Sequence, residues 1–334
     1  MTRPPGPWWA ELPPVAGAAV MATGILSVGL HLVGHETLSL AALASAGAVW
    51  LVLAVDFSVC FLRDRPRWRA EADTPAALTA VAATAVLGTR LSVLGRQNLA
   101  LALLALAAAL WPFLLSSVLR HRGRRMPGGA FLVCVATQGL AVLAATLAAA
   151  GEGDWAARAA LVLFCLGVLL YGEALVRFDF RQVWTGAGDQ WIAGGALAIS
   201  ALACAKLTAS PLWTGGAHHA LRDTTLVLLG LALAWYAILL TAELVRPRPH
   251  YDLRRWATVF PLGMAAVATL STGTSAHVRG LRTLGEVLLW VAVAAWALTL
   301  AAFLVTQATG RARTGPARRP APDRVTGEGP TPRR

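Results

Sequence analysis

Charged residues are scarce in this sequence, and their scarcity excludes an ordinary soluble domain. They make up 14% of the 334 residues, whereas 57% of the residues are hydrophobic. Soluble domains hold about 25% charged residues. The mean hydropathy is +0.60, and many runs reach the roughly 20 apolar residues that a bilayer-crossing helix needs. The composition therefore predicts an all-α membrane protein.

Cysteine and catalytic motifs are scarce too, which excludes several kinds of site. The four cysteines, Cys60, Cys134, Cys165 and Cys204, stand in separate apolar runs without paired spacing. This pattern argues against a disulfide framework or a zinc site. The sequence also lacks a serine nucleophile elbow, an HExxH pair, a P-loop and a dinucleotide-binding glycine pattern. We therefore predict no enzyme activity, no metal and no cofactor.

Apolar stretches along the chain predict ten transmembrane helices. Their approximate limits are 14–33, 37–62, 74–94, 97–120, 128–150, 155–178, 189–210, 220–245, 255–276 and 281–307. The odd-numbered spans start about every 60 residues, which indicates five repeated helical hairpins. Residues 1–13 are expected to form a cytoplasmic N-terminal segment and 14–307 the transmembrane domain. Residues 308–334, rich in Pro, Gly and Arg, are expected to be a disordered basic cytoplasmic tail.

The formal net charge of +12 could suggest nucleic-acid binding, but its distribution indicates membrane orientation. Most of the lysines and arginines fall in alternate loops and in the C-terminal tail. Such an excess marks the cytoplasmic side of a membrane protein. We predict no nucleic-acid partner, a location in the cytoplasmic membrane and two cytoplasmic termini.

Acidic residues recur near the ends of even-numbered spans. Asp56 precedes Arg63, Glu173 precedes Arg177, and Glu243 precedes Arg246. These acids could form local ion pairs with arginine at the membrane surface, or a structural network between repeats. The sequence leaves both interpretations open.

The odd spans carry the small and polar residues, whereas the even spans are mostly Leu, Ala and Val. Close helix packing alone explains many such residues, but the bias recurs in all five odd spans. We therefore predict an inner ring of odd helices around a pore, with the even helices outside. The candidate pore-lining residues are Gly24, Ser27, Thr84, Gly88, Thr137, Gly139, Gly194, Gly195, Gly263 and Thr269.

Two cations, Arg90 and Lys206, stand inside otherwise apolar odd spans at similar depth. An intramembrane cation is costly and suggests a function. If both face the lumen, they attract anions at the outer mouth. The competing interpretation is that both side chains extend to the outer membrane surface.

The ninth span holds a proline in its interior. Pro261 removes one backbone hydrogen bond and crowds the preceding turn, so we expect the helix to bend near Phe260 and Pro261. Freed carbonyls are tolerated inside a membrane where protein or water satisfies them. This span is therefore expected to face other helices or an aqueous path.

Three segments carry a family resemblance. PPVAGAAVMATGILSVGL (Pro13 to Leu30), AGGALAIS (Ala193 to Ser200) and RWATVFPLGMAAVAT (Arg255 to Thr269) resemble helices of the tellurite-resistance/dicarboxylate transporter family. That family includes the bacterial TehA proteins and the plant slow anion channels. The resemblance implies a homotrimer whose subunits each enclose a pore lined by the odd helices. It also implies that Phe260, beside Pro261, is the gate.

Together these features predict transport of small inorganic or organic anions across the lipid bilayer, channel-like or by a permease of the tellurite-resistance/C4-dicarboxylate type. The alternative is a proton-coupled dicarboxylate or sulfite permease. A lipid-modifying membrane enzyme is a weaker alternative, because its acids or histidines should cluster at one interface. The sequence lacks two arginines on one lumenal helix face that could bind both carboxylates of a dicarboxylate.

Overall fold

The protein is described by a computed structural model covering residues 16–120, 126–248 and 252–313, with side chains as far as Ala308. These ranges hold ten long helices and no strand, apart from one isolated bridge between Met126 and Phe178. The long helices are α1 (Gly17–Leu32), α2 (Glu36–Arg63), α3 (Thr79–Val93), α4 (Gln97–Arg120), α5 (Leu132–Ala149), α6 (Asp154–Arg177), α7 (Trp191–Thr208), α8 (Gly215–Val245), α9 (Trp256–Ser275) and α10 (Leu281–Arg313).

Nine helices in the described part of the chain are long and apolar enough to cross a membrane. Three of them count a preceding 3-10 turn, such as Pro75–Leu78 before α3. Helix α1 has 16 residues, fewer than the roughly 20 that span a bilayer. The protein is therefore an all-helical membrane protein, and the tenth crossing stays a prediction.

The helix ends differ from the predicted spans mainly in the second half of the chain. Helix α8 begins at Gly215, before the predicted start at residue 220. Helix α10 continues to Arg313, past the predicted start of the tail at residue 308. The predicted N-terminal segment 1–13 and the remainder of the tail, 314–334, lie outside the described residues.

A glycine with positive φ lies at the junction of the two helices in each of the pairs α1–α2, α3–α4, α5–α6, α7–α8 and α9–α10, and in the fourth pair it is the first residue of α8. The residues are Gly34 (φ 84°), Gly95 (77°), Gly151 (95°), Gly215 (55°) and Gly280 (89°). A side chain makes this backbone region costly, so glycine is favoured where a helix stops and the chain reverses. The recurrence of this glycine supports the interpretation of the chain as repeated helix pairs.

Contacts between helices follow two rules. Each odd helix packs against the even helix that follows it, as α1 does with α2 and α9 with α10. Each odd helix also contacts the next odd helix, from α1 to α3, α5, α7 and α9, and α9 contacts α1 again. The odd helices are buried along most of their length, whereas the even helices leave large apolar side chains such as Leu62, Val176 and Leu298 exposed.

A short helix, Arg65–Ala72, joins α2 to α3. Asp64 precedes it, and its carboxylate accepts a hydrogen bond from the backbone N–H of Arg67 at 3.2 Å. Pro66 stands in its first turn, where the missing N–H costs nothing. A second short helix, Gln182–Thr185, lies between α6 and α7.

Candidate pore and anion site

A small cavity lies where the five odd helices meet. Its volume is about 20 Å³. Every odd helix contributes to its wall: Ile25 and Val28 of α1, Val86 and Thr89 of α3, Gly139 and Val142 of α5, Ile199, Leu202 and Lys206 of α7, and Met264, Val267 and Ser271 of α9. A cavity of this size holds about one water molecule. The centre of the helix cycle is therefore closed to anions in this conformation.

The wall residues form stripes with helical spacing. On α9 the cavity is bordered by Met264, Val267 and Ser271, which recur every three or four residues and so share one helix face. Phe260 lies four residues before Met264, on the same face and one turn nearer the start of α9. The Phe260 side chain is only 2% exposed.

The corresponding stripe on α7 consists of Ile199, Leu202 and Lys206. Gly195 continues it by one turn toward the start of α7. A Cβ atom at Gly195 would lie 2.9 Å from Cγ of Pro261, closer than side chains tolerate. Gly195 therefore allows α7 to approach α9 at Pro261, the residue after Phe260, so that the predicted site residues Gly195 and Pro261 occupy neighbouring positions.

Lys206 is the cation of the cavity wall, and its side chain is half-buried. Within the described ranges its ammonium has no hydrogen-bond or ion-pair partner. Ser271 lies on the same wall, and its buried Oγ also lacks a partner. An ammonium and a hydroxyl that border one small space can both donate hydrogen bonds to an anion.

Arg90 occupies a different environment, although its position in the sequence is similar. The side chain is fully buried and is directed from α3 toward the start of α2. Its Nε donates to Ser39 Oγ at 3.0 Å, and its Nη2 donates to the Glu36 carboxylate at 2.5 Å. Arg90 thus has a counter-charge, whereas Lys206 has none in the part of the chain that the structure describes.

The Arg90 pair belongs to a network that joins the first three long helices. Glu36 also binds His31 Nδ1 at 2.6 Å. Ser39 Oγ donates to the Ser27 carbonyl, and Ser27 Oγ donates to the Ser39 carbonyl, both at 2.7 Å. This arrangement satisfies the polar groups of Ser27 between α1 and α2 and ties both helices to α3.

The profile of the voltage-dependent anion channel family matches residues 11–304. The chain belongs to this family. The match covers all the long helices except the end of α10 and confirms the resemblance seen in the sequence. The family consists of anion channels rather than enzymes, so the class of function is anion transport across a membrane.

Two curated relatives come from Mycobacterium tuberculosis, one from strain H37Rv and one from strain CDC 1551 / Oshkosh. Each is described as an uncharacterized membrane protein. Each is 31% identical over 137 residues, a stretch covering 37% of this chain and 67% of the relative. These relatives support a membrane location and name no substrate.

The predicted pore-lining hydroxyls of this family member mostly contact even helices. Thr84 of α3 accepts a hydrogen bond from Trp50 Nε1 of α2, and Thr137 of α5 accepts one from Trp111 Nε1 of α4, both at 2.9 Å. Thr269 donates to the carbonyl of Ala265 in its own helix at 2.7 Å. Gly139 is the predicted lining glycine that borders the central cavity.

The other predicted glycines lie where helices approach closely. A Cβ atom would meet Val86 at Gly24, Leu143 at Gly88, Trp235 at Gly194 and Ile25 at Gly263. Small residues at these positions let helix backbones come together. Their role as pore-lining residues stays a prediction.

A tryptophan-to-threonine hydrogen bond recurs between repeats, and sequence reasoning missed it. Besides the bonds to Thr84 and Thr137, Trp296 of α10 donates to Thr23 of α1 at 2.9 Å. In each case the donor is on an even helix and the acceptor on an adjacent odd helix, with α10 and α1 closing the cycle. The sequence separation is 34 residues for Trp50 and Thr84 but 26 for Trp111 and Thr137, so no fixed spacing indicates these bonds.

The three acids near the ends of even helices have three different environments. Glu173 pairs with Arg177 on α6, as a local ion pair. Glu243 binds Arg248, and Arg255 Nη1 lies 3.1 Å from its carboxylate. Asp56 is buried and has no hydrogen-bond or ion-pair partner among the described residues.

The loop before α9 carries a further ion pair. Arg254 donates to the Asp252 carboxylate at 2.8 Å, and this hydrogen bond lowers the pKa of Asp252. Across the described ranges, no three His, Cys, Asp or Glu residues gather as a metal site would require.

Proposed function

We propose that the chain conducts small anions through the axis of a ring formed by α1, α3, α5, α7 and α9. In this proposal all ten long helices cross the cytoplasmic membrane as five hairpins, with both termini in the cytoplasm. The closed cycle of contacts among the odd helices and the exposed apolar faces of the even helices support this arrangement.

The observation that carries the proposal is the unpaired Lys206 on the wall of the central cavity. A cation that no carboxylate neutralises creates a positive potential along the axis and attracts anions. Ser271 adds a hydroxyl donor at the same level. Lys206 and Ser271 do not surround an anion as the groups of a tight binding site would, so an anion can also leave.

Passage requires no covalent step. An anion that leaves the cell passes Phe260, sheds part of its hydration shell between aliphatic side chains such as Ile199 and Leu202, and reaches Lys206 near the outer end of the path. A constriction of this kind closes by excluding water. The membrane potential contributes about 2.3 kcal/mol per charge per 100 mV and favours anion efflux from a cell that is negative inside.

Lys206 is the one cation among the described residues that line the central cavity, which favours monovalent anions such as chloride and nitrate as substrates. The alternatives that the family resemblance implies are a dicarboxylate or tellurite carrier and a proton-coupled sulfite permease. Proton coupling requires an acid in the path, and Glu173 is already paired with Arg177. A flux assay with and without a pH gradient separates the coupled mechanism from the passive one.

The testing experiment is anion flux into liposomes that contain the purified protein. At about 8 Å and an effective dielectric constant of about 20, one charge attracts an anion by about 2 kcal/mol. Since about 1.4 kcal/mol changes a rate tenfold, Lys206→Gln should lower chloride and nitrate flux by at least about tenfold.

Lys206→Arg is the matched control, because it keeps the charge and should keep most of the flux. Gel-filtration profiles of both variants must equal that of the wild type. Unchanged flux in a well-folded Lys206→Gln variant would contradict the role of Lys206 as the anion-attracting group.

We also propose a homotrimer in which each subunit has its own pore, as the family resemblance implies. Native mass spectrometry of the detergent-solubilised protein measures the number of subunits. One pore per subunit further requires that mixing wild-type and Lys206→Gln subunits lowers flux in proportion to the variant fraction.

A further inference from the structure

A second, larger cavity lies on the outside of the helix cycle. This lateral groove is formed by α2, α3, α4 and the short helix Arg65–Ala72, and its volume is about 610 Å³. Its apolar wall includes Trp50, Leu53, Phe57, Leu106, Leu110 and Phe113. The volume lies within the range of about 300–1,000 Å³ that is typical of ligand pockets. The groove therefore has room for part of an amphiphilic molecule.

Asp56 places an unpaired acid in the wall of the lateral groove. Its side chain is 8% exposed and lines the groove without a hydrogen-bond or ion-pair partner among the described residues. Glu71 lines the same groove, and its carboxylate accepts a hydrogen bond from the Nε of Arg67 at 2.8 Å. A buried carboxylate is costly unless it is paired, so Asp56 fits a ligand with a hydrogen-bonding cation.

Trp68 places an unpaired donor in the same wall. Its ring packs edge-on against Phe61 at 5.1 Å between centroids and lies 5.6 Å from Phe57. Its indole Nε1 is buried and has no acceptor among the residues that the structure describes. An indole N–H can only donate. The lateral groove thus contains the Asp56 carboxylate, which can accept hydrogen bonds, and the Trp68 indole N–H, which can donate one.

We propose that the lateral groove binds one phosphatidylethanolamine molecule. The lipid's ammonium donates hydrogen bonds to Asp56, its phosphate accepts from Trp68, and an acyl chain covers the apolar wall between α2 and α4. Phosphatidylcholine carries a charge without an N–H donor, and phosphatidylglycerol carries an anion without a cation. Both leave the Asp56 carboxylate without its charged hydrogen bond.

The position of the two polar residues fits a lipid of one leaflet. Asp56 lies seven residues before the end of α2 at Arg63, about 10 Å along the helix axis, and Trp68 belongs to the short helix that follows. The exposed part of the wall, such as Phe113 at 71% exposure, opens sideways toward the bilayer. A lipid can therefore enter from the membrane without passing through the protein.

The experiment is native mass spectrometry of the full chain in mild detergent, with added dioleoyl-phosphatidylethanolamine, -phosphatidylcholine or -phosphatidylglycerol. The wild type should retain phosphatidylethanolamine at about tenfold lower lipid concentration than the other two, because hydrogen bonds to charged groups are strong. Asp56→Asn should abolish this preference. Trp68→Phe should weaken binding of all three phospholipids alike, because each has a phosphate.

Ser58→Ala is the matched control. Ser58 also lines the lateral groove, but its hydroxyl already donates to the carbonyl of Ala54 at 2.7 Å, so the preference should persist. Equal retention of the three lipids by the wild type overturns the proposal. An Asp56→Asn variant that keeps the preference for phosphatidylethanolamine also overturns it. The proposal fails as well if Asp56→Asn changes the number of subunits and leaves lipid retention unaltered. If Asp56→Asn aggregates, the wild-type comparison and Trp68→Phe decide.

Discussion

Phe260 is the aromatic side chain best placed to close the proposed axis. It shares a helix face with Met264 and Val267, which border the cavity, and lies one turn before them. Phe260→Ala should raise chloride flux into liposomes about tenfold, which corresponds to lowering the barrier by about 1.4 kcal/mol. The variant removes the ring and leaves Lys206 in place, so anion selectivity should persist.

Loss of packing is the complication, because replacing a buried Phe by Ala costs about 3–5 kcal/mol of stability. Phe164→Ala removes the same side chain from α6, away from the cavity. It should lower the melting temperature and leave flux unchanged. Phe260→Leu keeps more of the packing and should give an intermediate flux. Wild-type flux in a folded Phe260→Ala protein would show that Phe260 is not the gate.

The sequence could predict that the two intramembrane cations matter, but not that their environments differ. Arg90 and Lys206 occupy similar depths in their helices, yet only Arg90 meets a carboxylate. Its partner Glu36 lies 54 positions away along the chain, and nothing in the sequence pairs the two residues. The distinction between a structural ion pair and a candidate anion-attracting group therefore required coordinates.

At the scale of helices, the recurring Trp–Thr bonds hold the even helices against the odd ones. Trp50→Phe removes the bond to Thr84 and keeps an aromatic side chain, although the pyrrole part of the indole is lost. We expect a loss of about 1 kcal/mol, which lowers the melting temperature by about 2 °C for a chain of this size. Thr84 still donates to the carbonyl of Ala80, so its hydroxyl is not left without a partner. Chloride flux should be unchanged.

Trp290→Phe provides the comparison for this measurement. Trp290 lies on α10, is 46% exposed and contacts the edge of His35, with no hydrogen bond from its indole among the described residues. Its replacement should shift the melting temperature less than that of Trp50. Equal shifts for the two variants would show that the bond to Thr84 contributes nothing beyond ring packing.

Helices were the most predictable feature, because long apolar runs have few alternatives in a membrane protein. Helix α4 begins and ends where the sequence predicts, at Gln97 and Arg120. The short helix Arg65–Ala72 was missed although Asp64 and Pro66 are readable start signals, since arginine-rich composition suggested a loop. Polarity alone led us to expect that Ser27, Thr84 and Thr137 face the pore. The structure shows that they bond to Ser39, Trp50 and Trp111, which lie on even helices, and the sequence does not indicate these partners.

For the whole molecule, the uneven distribution of arginine predicts how the protein lies in the membrane. The connections after even helices and the C-terminal tail carry most of the 29 lysines and arginines, and such loops stay in the cytoplasm. Lys206 near the end of α7 then lies toward the outer side, and the lateral groove opens toward the cytoplasmic leaflet. Orientation thus decides which compartment the proposed anion site faces.

Labelling of single cysteines in intact cells measures this orientation. Arg279→Cys, in the turn before α10, should react with a membrane-impermeant maleimide, whereas Arg69→Cys, in the short helix after α2, should react only after permeabilisation. Both positions are exposed, so access to reagent depends on the side of the membrane. The four native cysteines are replaced by alanine beforehand, because Cys165 is exposed. The reverse labelling pattern would show that the protein has the opposite orientation in the membrane. Lys206 would then lie toward the cytoplasm, because the C-terminal ends of α7 and α9 lie on the same side of the ring.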